Sequence, residues 1–216
     1  MVGKPEGFPL LDALSRRLID PPLNRAGVAL AARGVSADAV TLAGLALGLA
    51  SAGLIAAGQF AAALALLLVS RLADGLDGAV ARATRKTDFG GYLDIAADFL
   101  FYGSVPLAFA VADPGANALA GAALLTSFYF NGTSFLGYAI LAERRGMTTR
   151  AQGEKTLYFS DGLLEGTETI LFFVALCLFP GAFAPLAYIF AALCMATATL
   201  RIVAARQIFS DRGPRP

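Results

Sequence analysis

Residues 60–111 read FAAALALLLVSRLADGLDGAVARATRKTDFGGYLDIAADFLFYGSVPLAFAV. The stretch holds two apolar runs, Phe60–Arg82 and Gly91–Val111, either side of a short loop that contains Arg85 and Lys86. Each run has about the 20 residues that an α-helix needs to cross hydrocarbon. Yet the end of the first carries Asp74, Asp77 and Arg82, and the start of the second carries Asp94 and Asp98. An ionisable group inside such a span costs about 2.5–3.5 kcal/mol on insertion scales, so its presence points to function. Intervals of three and four residues put each pair of aspartates on one helix face. A short loop makes the two helices antiparallel neighbours, so the four carboxylates sit at similar depth and can converge.

The same apolar texture runs outward from this stretch through the chain. Of 216 residues, 57% are hydrophobic and 15% charged, and the mean hydropathy is +0.66. A soluble domain is roughly 45–50% apolar and 25% charged, so the excess points to a membrane protein. The expected class is all-α, an integral membrane bundle of about six spans. They fall at Val40–Ala57, Phe60–Arg82, Gly91–Val111, Ala118–Leu141, Gly162–Phe179 and Phe183–Val203. Turns at Gly58-Gln59, residues 112–117 and Pro180-Gly181-Ala182 carry no Lys or Arg. Basic residues gather instead at Arg16, Arg17, Arg25 and Arg33, at Arg85 and Lys86, at Arg144 to Lys155, and at Arg206 to Arg215. The positive-inside rule then places both termini in the cytoplasm of a multi-pass inner-membrane protein. Leu10, Leu11, Leu14, Leu18 and Ile19 recur at helical spacing, which predicts a cytoplasmic amphipathic helix ended by Pro21-Pro22. No signal-peptide pattern precedes it. Residues 1–35 thus form a juxtamembrane segment, 36–205 a six-helix catalytic domain, and 206–216 a cytoplasmic tail.

Chemistry narrows by elimination. The chain has no histidine, so acid–base work falls to carboxylates, Lys or Tyr, and any metal to oxygen ligands. Cys177 and Cys194 lie within apolar runs and read as packing residues. Four carboxylates in a low-dielectric site repel one another, and a divalent cation removes that conflict. Oxygen-only ligation selects hard ions, Mg²⁺ first, then Mn²⁺ or Ca²⁺. Gly75 and Gly78 lower the helix surface beside the acids, so that an extended ligand can approach the backbone. A purely structural use of the acids, pairing with Arg71 and Arg82 between helices, leaves their recurrence with intervening glycines unexplained.

The motif Asp74-x-x-Asp77-Gly78-x-x-Ala81-Arg82, followed after seven residues by Gly90-x-x-x-Asp94-x-x-x-Asp98, resembles the signature of the CDP-alcohol phosphotransferases. It occupies about 25 residues, and the six-span topology extends the likeness over most of the chain; short bacterial members look most similar. The resemblance implies that Asp74, Asp77 and Asp94 bind two divalent ions, Mg²⁺ or Mn²⁺, holding a CDP diphosphate. It implies that Asp98 completes the metal site and serves as general base toward the acceptor hydroxyl. Gly78 and Arg82 would contact the nucleotide or its phosphates. Thr41 matches the family's Asn-x-x-Thr element, whereas Asp38 stands where that element has its amide. The implied partners are CDP-diacylglycerol or another CDP-alcohol, a small hydroxyl acceptor and membrane lipids, and the implied pathway is phospholipid synthesis.

Acceptor choice points downstream. Arg144, Arg145, Arg150 and Lys155 form a basic loop that serves orientation and anionic lipid, or a phosphate pocket with Lys155 foremost. Glu165 and Glu168 enter the fifth span, where buried glutamates could meet Arg201 or Lys155, bind hydroxyls or hold an ammonium group. Phe128, Tyr129, Phe130, Phe135 and Tyr138 read as lipid-facing or helix-packing aromatics. A cation transporter and a non-catalytic scaffold are the rival classes. All the motif acids lie at one membrane side, without the broken midplane helices of a transporter, and a scaffold needs no complete aspartate set. Nothing suggests nucleic-acid binding. Gly44, Gly48 and Gly53 would suit a homodimer through a small-residue face.

Overall fold

The structure is a computed structural model that describes residues 9–147 and 166–210, with side chains from Pro21 onward. All regular structure among these residues is helical. The elements are α1 (Pro9–Ala32), α2 (Ala37–Ala56), α3 (Phe60–Ala83), α4 (Asp88–Ala112), α5 (Pro114–Arg144), α6 (Gly166–Leu178) and α7 (Phe183–Phe209). A single 3₁₀ turn at Pro180–Ala182 precedes α7. Three segments are long and apolar enough to cross a membrane by length and composition: Ala37–Ala56, Asp88–Ala112 and Pro180–Phe209. Helices α3 and α5 are longer still than α2, but α3 carries four ionisable residues and α5 a series of Asn, Ser and Thr.

Local chemistry explains the boundaries. Gly34 and Gly58, just after α1 and α2, adopt φ of 78° and 73°, a region only glycine enters freely. Ser36 Oγ accepts from the Ala39 amide at 3.2 Å and starts α2, while Thr87 Oγ1 accepts from the Gly90 amide at 3.0 Å and starts α4. Asp113 does the same for α5, accepting from the Ala116 amide at 3.0 Å with Pro114 in the first turn. The cap leaves a one-residue link, shorter than the tight turn that residues 112–117 suggest.

Two compact units divide the chain: residues up to Ala50 with Ala65–Asp98, and Ser51–Leu64 with Phe99 onward. In the first, α1 and α3 approach closely enough that a Cβ at Gly27 would lie 2.7 Å from the Ala79 Cβ. Nearby, Leu23 meets Gly75, and Arg82 Nη2 donates to Asn24 Oδ1 at 2.9 Å. These contacts account for a departure from expectation: α1 runs straight through Pro21 and Pro22 to Ala32 instead of ending there. Interior prolines remove helix hydrogen bonds at about 3 kcal/mol each, and the packing of residues 23–27 on α3 offsets that loss. Gly44 likewise brings α2 onto α3, with Ser70 Oγ donating to the Gly44 carbonyl at 2.7 Å. That face of α2 is therefore filled from within the chain, while Gly53 has nothing within 4 Å of its missing Cβ.

In the second unit α5 lies along α7. Buried Arg201 donates to the Asn131 carbonyl and amide oxygens, at 3.2 and 2.8 Å, and to Ser134 Oγ at 2.7 Å. Phe128 packs edge-on to Phe173 and Phe190, and Tyr138 to Phe209, whereas Tyr129 is 79% exposed. The aromatics thus divide between helix packing and the outer surface as their sequence suggests. Arg145 Nη1 and Nη2 donate to the Ile208 and Phe209 carbonyls and close the end of α7. Cys177 and Cys194 are buried and free, in keeping with a packing role.

Candidate active site

The first unit brings the motif together. Asp74 on α3 and Asp94 and Asp98 on α4 each present a carboxylate oxygen, and the three oxygens lie within 4.8 Å of one another. Helical periodicity produces this: one turn separates Asp94 from Asp98, and the short link 84–87 sets α4 back against α3 at matching depth. Asp77, also on α3, is nearly buried, and its Oδ2 accepts a 2.6 Å hydrogen bond from Thr41 Oγ1 on α2. Three of the four aspartates thus converge from two helices, while Asp77 stands outside that group and is held by a hydroxyl from a third helix.

A cavity of about 590 Å³ shares Asp94 with this cluster, whereas Asp74 and Asp98 do not line it. Its wall combines Asp77 and Asp94 with Asp38 and Thr41 from α2, and with Gly78, Arg82, Arg85 and Lys86 from the end of α3 and the loop after it. The wall thus holds both carboxylates and cations, a combination that suits a ligand whose phosphates meet a metal and a guanidinium. A Cβ at Gly78 would come within 3.3 Å of Arg82 Nη1, so glycine there lets the arginine fold back over its own helix. Gly75 does not line the cavity; it receives Leu23 of α1 at 3.1 Å, because its position on α3 turns it away from the acids. Of the two glycines expected to open the backbone to a ligand, only Gly78 faces the cavity. A Cβ at Gly90 would sit 3.2 Å from Asp38 Oδ1, which marks how closely the α2 carboxylate approaches the start of α4.

The family model for CDP-alcohol phosphatidyltransferases matches residues 35–203. The chain belongs to that family. The inner membrane protein YnjF of Escherichia coli is 46% identical to this phosphatidyltransferase over 193 residues, 89% of this chain and 94% of that protein. In fold it is similar to the phosphatidylinositol phosphate synthase of Mycobacterium tuberculosis, whose crystal structure has CDP-diacylglycerol bound. That likeness has a TM-score of 0.66 at 20% identity, over 89% of this chain and 98% of that one. Membership in a family of membrane transferases of phospholipid synthesis removes the transporter and scaffold readings. The family uses divalent cations, and the residues present fit one: the donors are oxygens alone, close enough to share an ion.

Of the downstream candidates, Arg150, Lys155 and Glu165 lie outside the described residues. Glu168 is in the first turn of α6 and is exposed, not buried as expected, because that turn stands at the helix end. Two further residues complete the candidate site, Arg71 in the pairing with the acids that its sequence suggested and Asn24 in a part its sequence did not assign. Arg71 Nη1 donates to Asp98 Oδ1 at 2.9 Å and to Asp74 Oδ1 at 3.3 Å, so pairing with arginine and convergence of the carboxylates occur together. Asn24 holds Arg82 from α1. A charge three residues ahead of Asp74 in an apolar run was the available signal for Arg71; Asn24 had none.

Proposed function

We propose that the protein transfers a phosphatidyl group from a CDP-alcohol, CDP-diacylglycerol first, to the hydroxyl of a small polar acceptor, releasing CMP. The observation that carries this reading is the convergence of the Asp74, Asp94 and Asp98 carboxylates within 4.8 Å, with Asp94 also lining a cavity that holds Arg82, Arg85 and Lys86. The bound CDP-diacylglycerol of the mycobacterial synthase supports the choice of donor. Asp74, Asp77, Asp94 and Asp98 would hold two divalent ions, Mg²⁺ or Mn²⁺, which when bound supply Lewis-acid stabilisation of the diphosphate and of departing CMP. Thr41, Gly78 and Arg82 take the nucleotide side. Asp98 accepts the proton of the acceptor hydroxyl. The acceptor oxygen then bonds to the lipid-bearing phosphorus, and the bond from that phosphorus to the bridging oxygen breaks, so that CMP leaves with the electron pair. Arg150, Lys155, Glu165 and Glu168 are the residues assigned to the acceptor.

The setting proposed is a bundle of six spans, α2 to α7, in the cytoplasmic membrane with both termini inside. Helix α1 lies on the cytoplasmic surface. Residues 1–35, 36–205 and 206–216 correspond to surface segment, catalytic domain and tail. The decisive experiment measures CMP release from CDP-diacylglycerol by purified protein with Mg²⁺ or Mn²⁺. Its acceptor panel holds glycerol 3-phosphate, inositol, inositol phosphate, serine and amino-alcohols. Metal-dependent release with one acceptor establishes the reaction; folded protein that fails to bind CDP overturns it.

A further inference from the structure

Arg71 follows the apolar run Ala61–Val69 by two positions and stands one helical turn before Asp74. Its side chain is 10% exposed. A single nitrogen, Nη1, lies between Asp98 Oδ1 at 2.9 Å and Asp74 Oδ1 at 3.3 Å. The other, Nη2, donates to Ser70 Oγ at 3.2 Å, and that hydroxyl donates to the Gly44 carbonyl of α2 at 2.7 Å. The guanidinium is therefore anchored on the backbone of a third helix, and it cannot give up its proton. A permanent positive charge is fixed among the carboxylates that would receive the divalent ion.

We propose that Arg71 is a positioning residue, a built-in counter-cation that holds Asp98 by one oxygen and restrains the affinity of the cluster for a divalent cation. The inference rests on the reading of Asp74, Asp94 and Asp98 as a metal site. Two effects follow, with opposite signs. Every carboxylate lone pair that Nη1 engages is withheld from a metal, and the guanidinium charge repels the ion; removing it tightens binding. The same removal frees Asp98 to rotate, and a general base out of place slows proton abstraction. A residue that only packed the helices would, on removal, weaken binding and turnover together.

Charge and geometry are separated by two variants in lipid nanodiscs, with binding of Mn²⁺ alone read from the spectroscopic signal of the free ion and turnover read from CMP release. Arg71→Gln removes the charge; it should tighten Mn²⁺ binding about ten-fold and lower turnover about a hundred-fold. Arg71→Lys keeps the charge without the fork; Mn²⁺ affinity should stay near that of the unmodified protein while turnover falls. Weaker or unchanged Mn²⁺ binding in Arg71→Gln overturns the proposal. If that variant does not fold, Arg71→Lys decides alone, and full turnover in it is the overturning result. Failure of the metal reading is distinguishable, since the unmodified protein would then bind no Mn²⁺.

Discussion

Thr41 and Asp77 are 36 positions apart in the chain and 2.6 Å apart in space. The hydroxyl occupies Oδ2 of a nearly buried carboxylate and fixes its orientation. Hydrogen bonds to charged groups contribute about 1.5–3 kcal/mol, so Thr41→Val should cut CMP release by about ten-fold or more and raise the Mn²⁺ needed for half-maximal rate. Thr41→Ser, which keeps the donor, should restore most of both in the same titration. Asp98→Asn should retain CDP binding, followed by displacement of a labelled nucleotide, yet release no CMP above background, because an amide accepts no proton from the acceptor. At this scale the four aspartates were legible because charge at helical intervals stands out against an apolar background. Pairing of the acids with Arg71 was legible as an alternative use of them, but the links made by Ser70 and Asn24 were not. A hydrogen bond between side chains on different helices depends on helix rotation and axial register, which periodicity within one helix leaves open.

Helices approach one another here through missing side chains. A Cβ at Gly27 would meet both the Ala79 Cβ at 2.7 Å and its carbonyl carbon at 2.8 Å, and backbone cannot swing aside. Gly27→Ala should therefore destabilise the protein by about 1–3 kcal/mol, as overpacking does. A lowered thermal midpoint in detergent, with weakened nucleotide binding as Arg82 loses Asn24, would be the readout. Gly53→Ala, with open space around the new methyl, should be neutral or stabilising by up to about 1 kcal/mol. Among elements, the apolar cores of α2, α3, α4 and α7 were readable from run length. Two boundaries were not. Pro21 and Pro22 looked like a stop because local propensity was the only information, whereas tertiary packing of residues 23–27 carries the helix on. The start of α5 at Pro114 rests on the Asp113 cap, a side-chain geometry that a Pro-Gly-rich stretch conceals.

Large apolar side chains point outward along the helices, among them Leu68, Leu107, Leu119, Leu171, Ile189 and Val203. Such surface is tolerable in lipid and an aggregation hazard in water. Single cysteines placed at Gly58 and Gly181, in a background without Cys177 and Cys194, should react with an impermeant thiol reagent only from the outer side. A cysteine at Lys86 should react only from the cytoplasmic side, and the opposite pattern would overturn the proposed orientation. Chelation of divalent ions should abolish CMP release reversibly, with full recovery on adding back Mg²⁺ or Mn²⁺. The prolines within α1 carry the matter of depth further. Proline supplies no amide proton, so the carbonyls of Arg17 and Leu18 lose the partners an unbroken helix would give them. In hydrocarbon each such oxygen would sit several kcal/mol above its hydrated state. In the proposed setting the first half of α1 would behave as a float, held at the waterline by two thirsty oxygens, while its second half is moored to α3. A single exchange of both prolines for alanine would satisfy those oxygens and let the float sink.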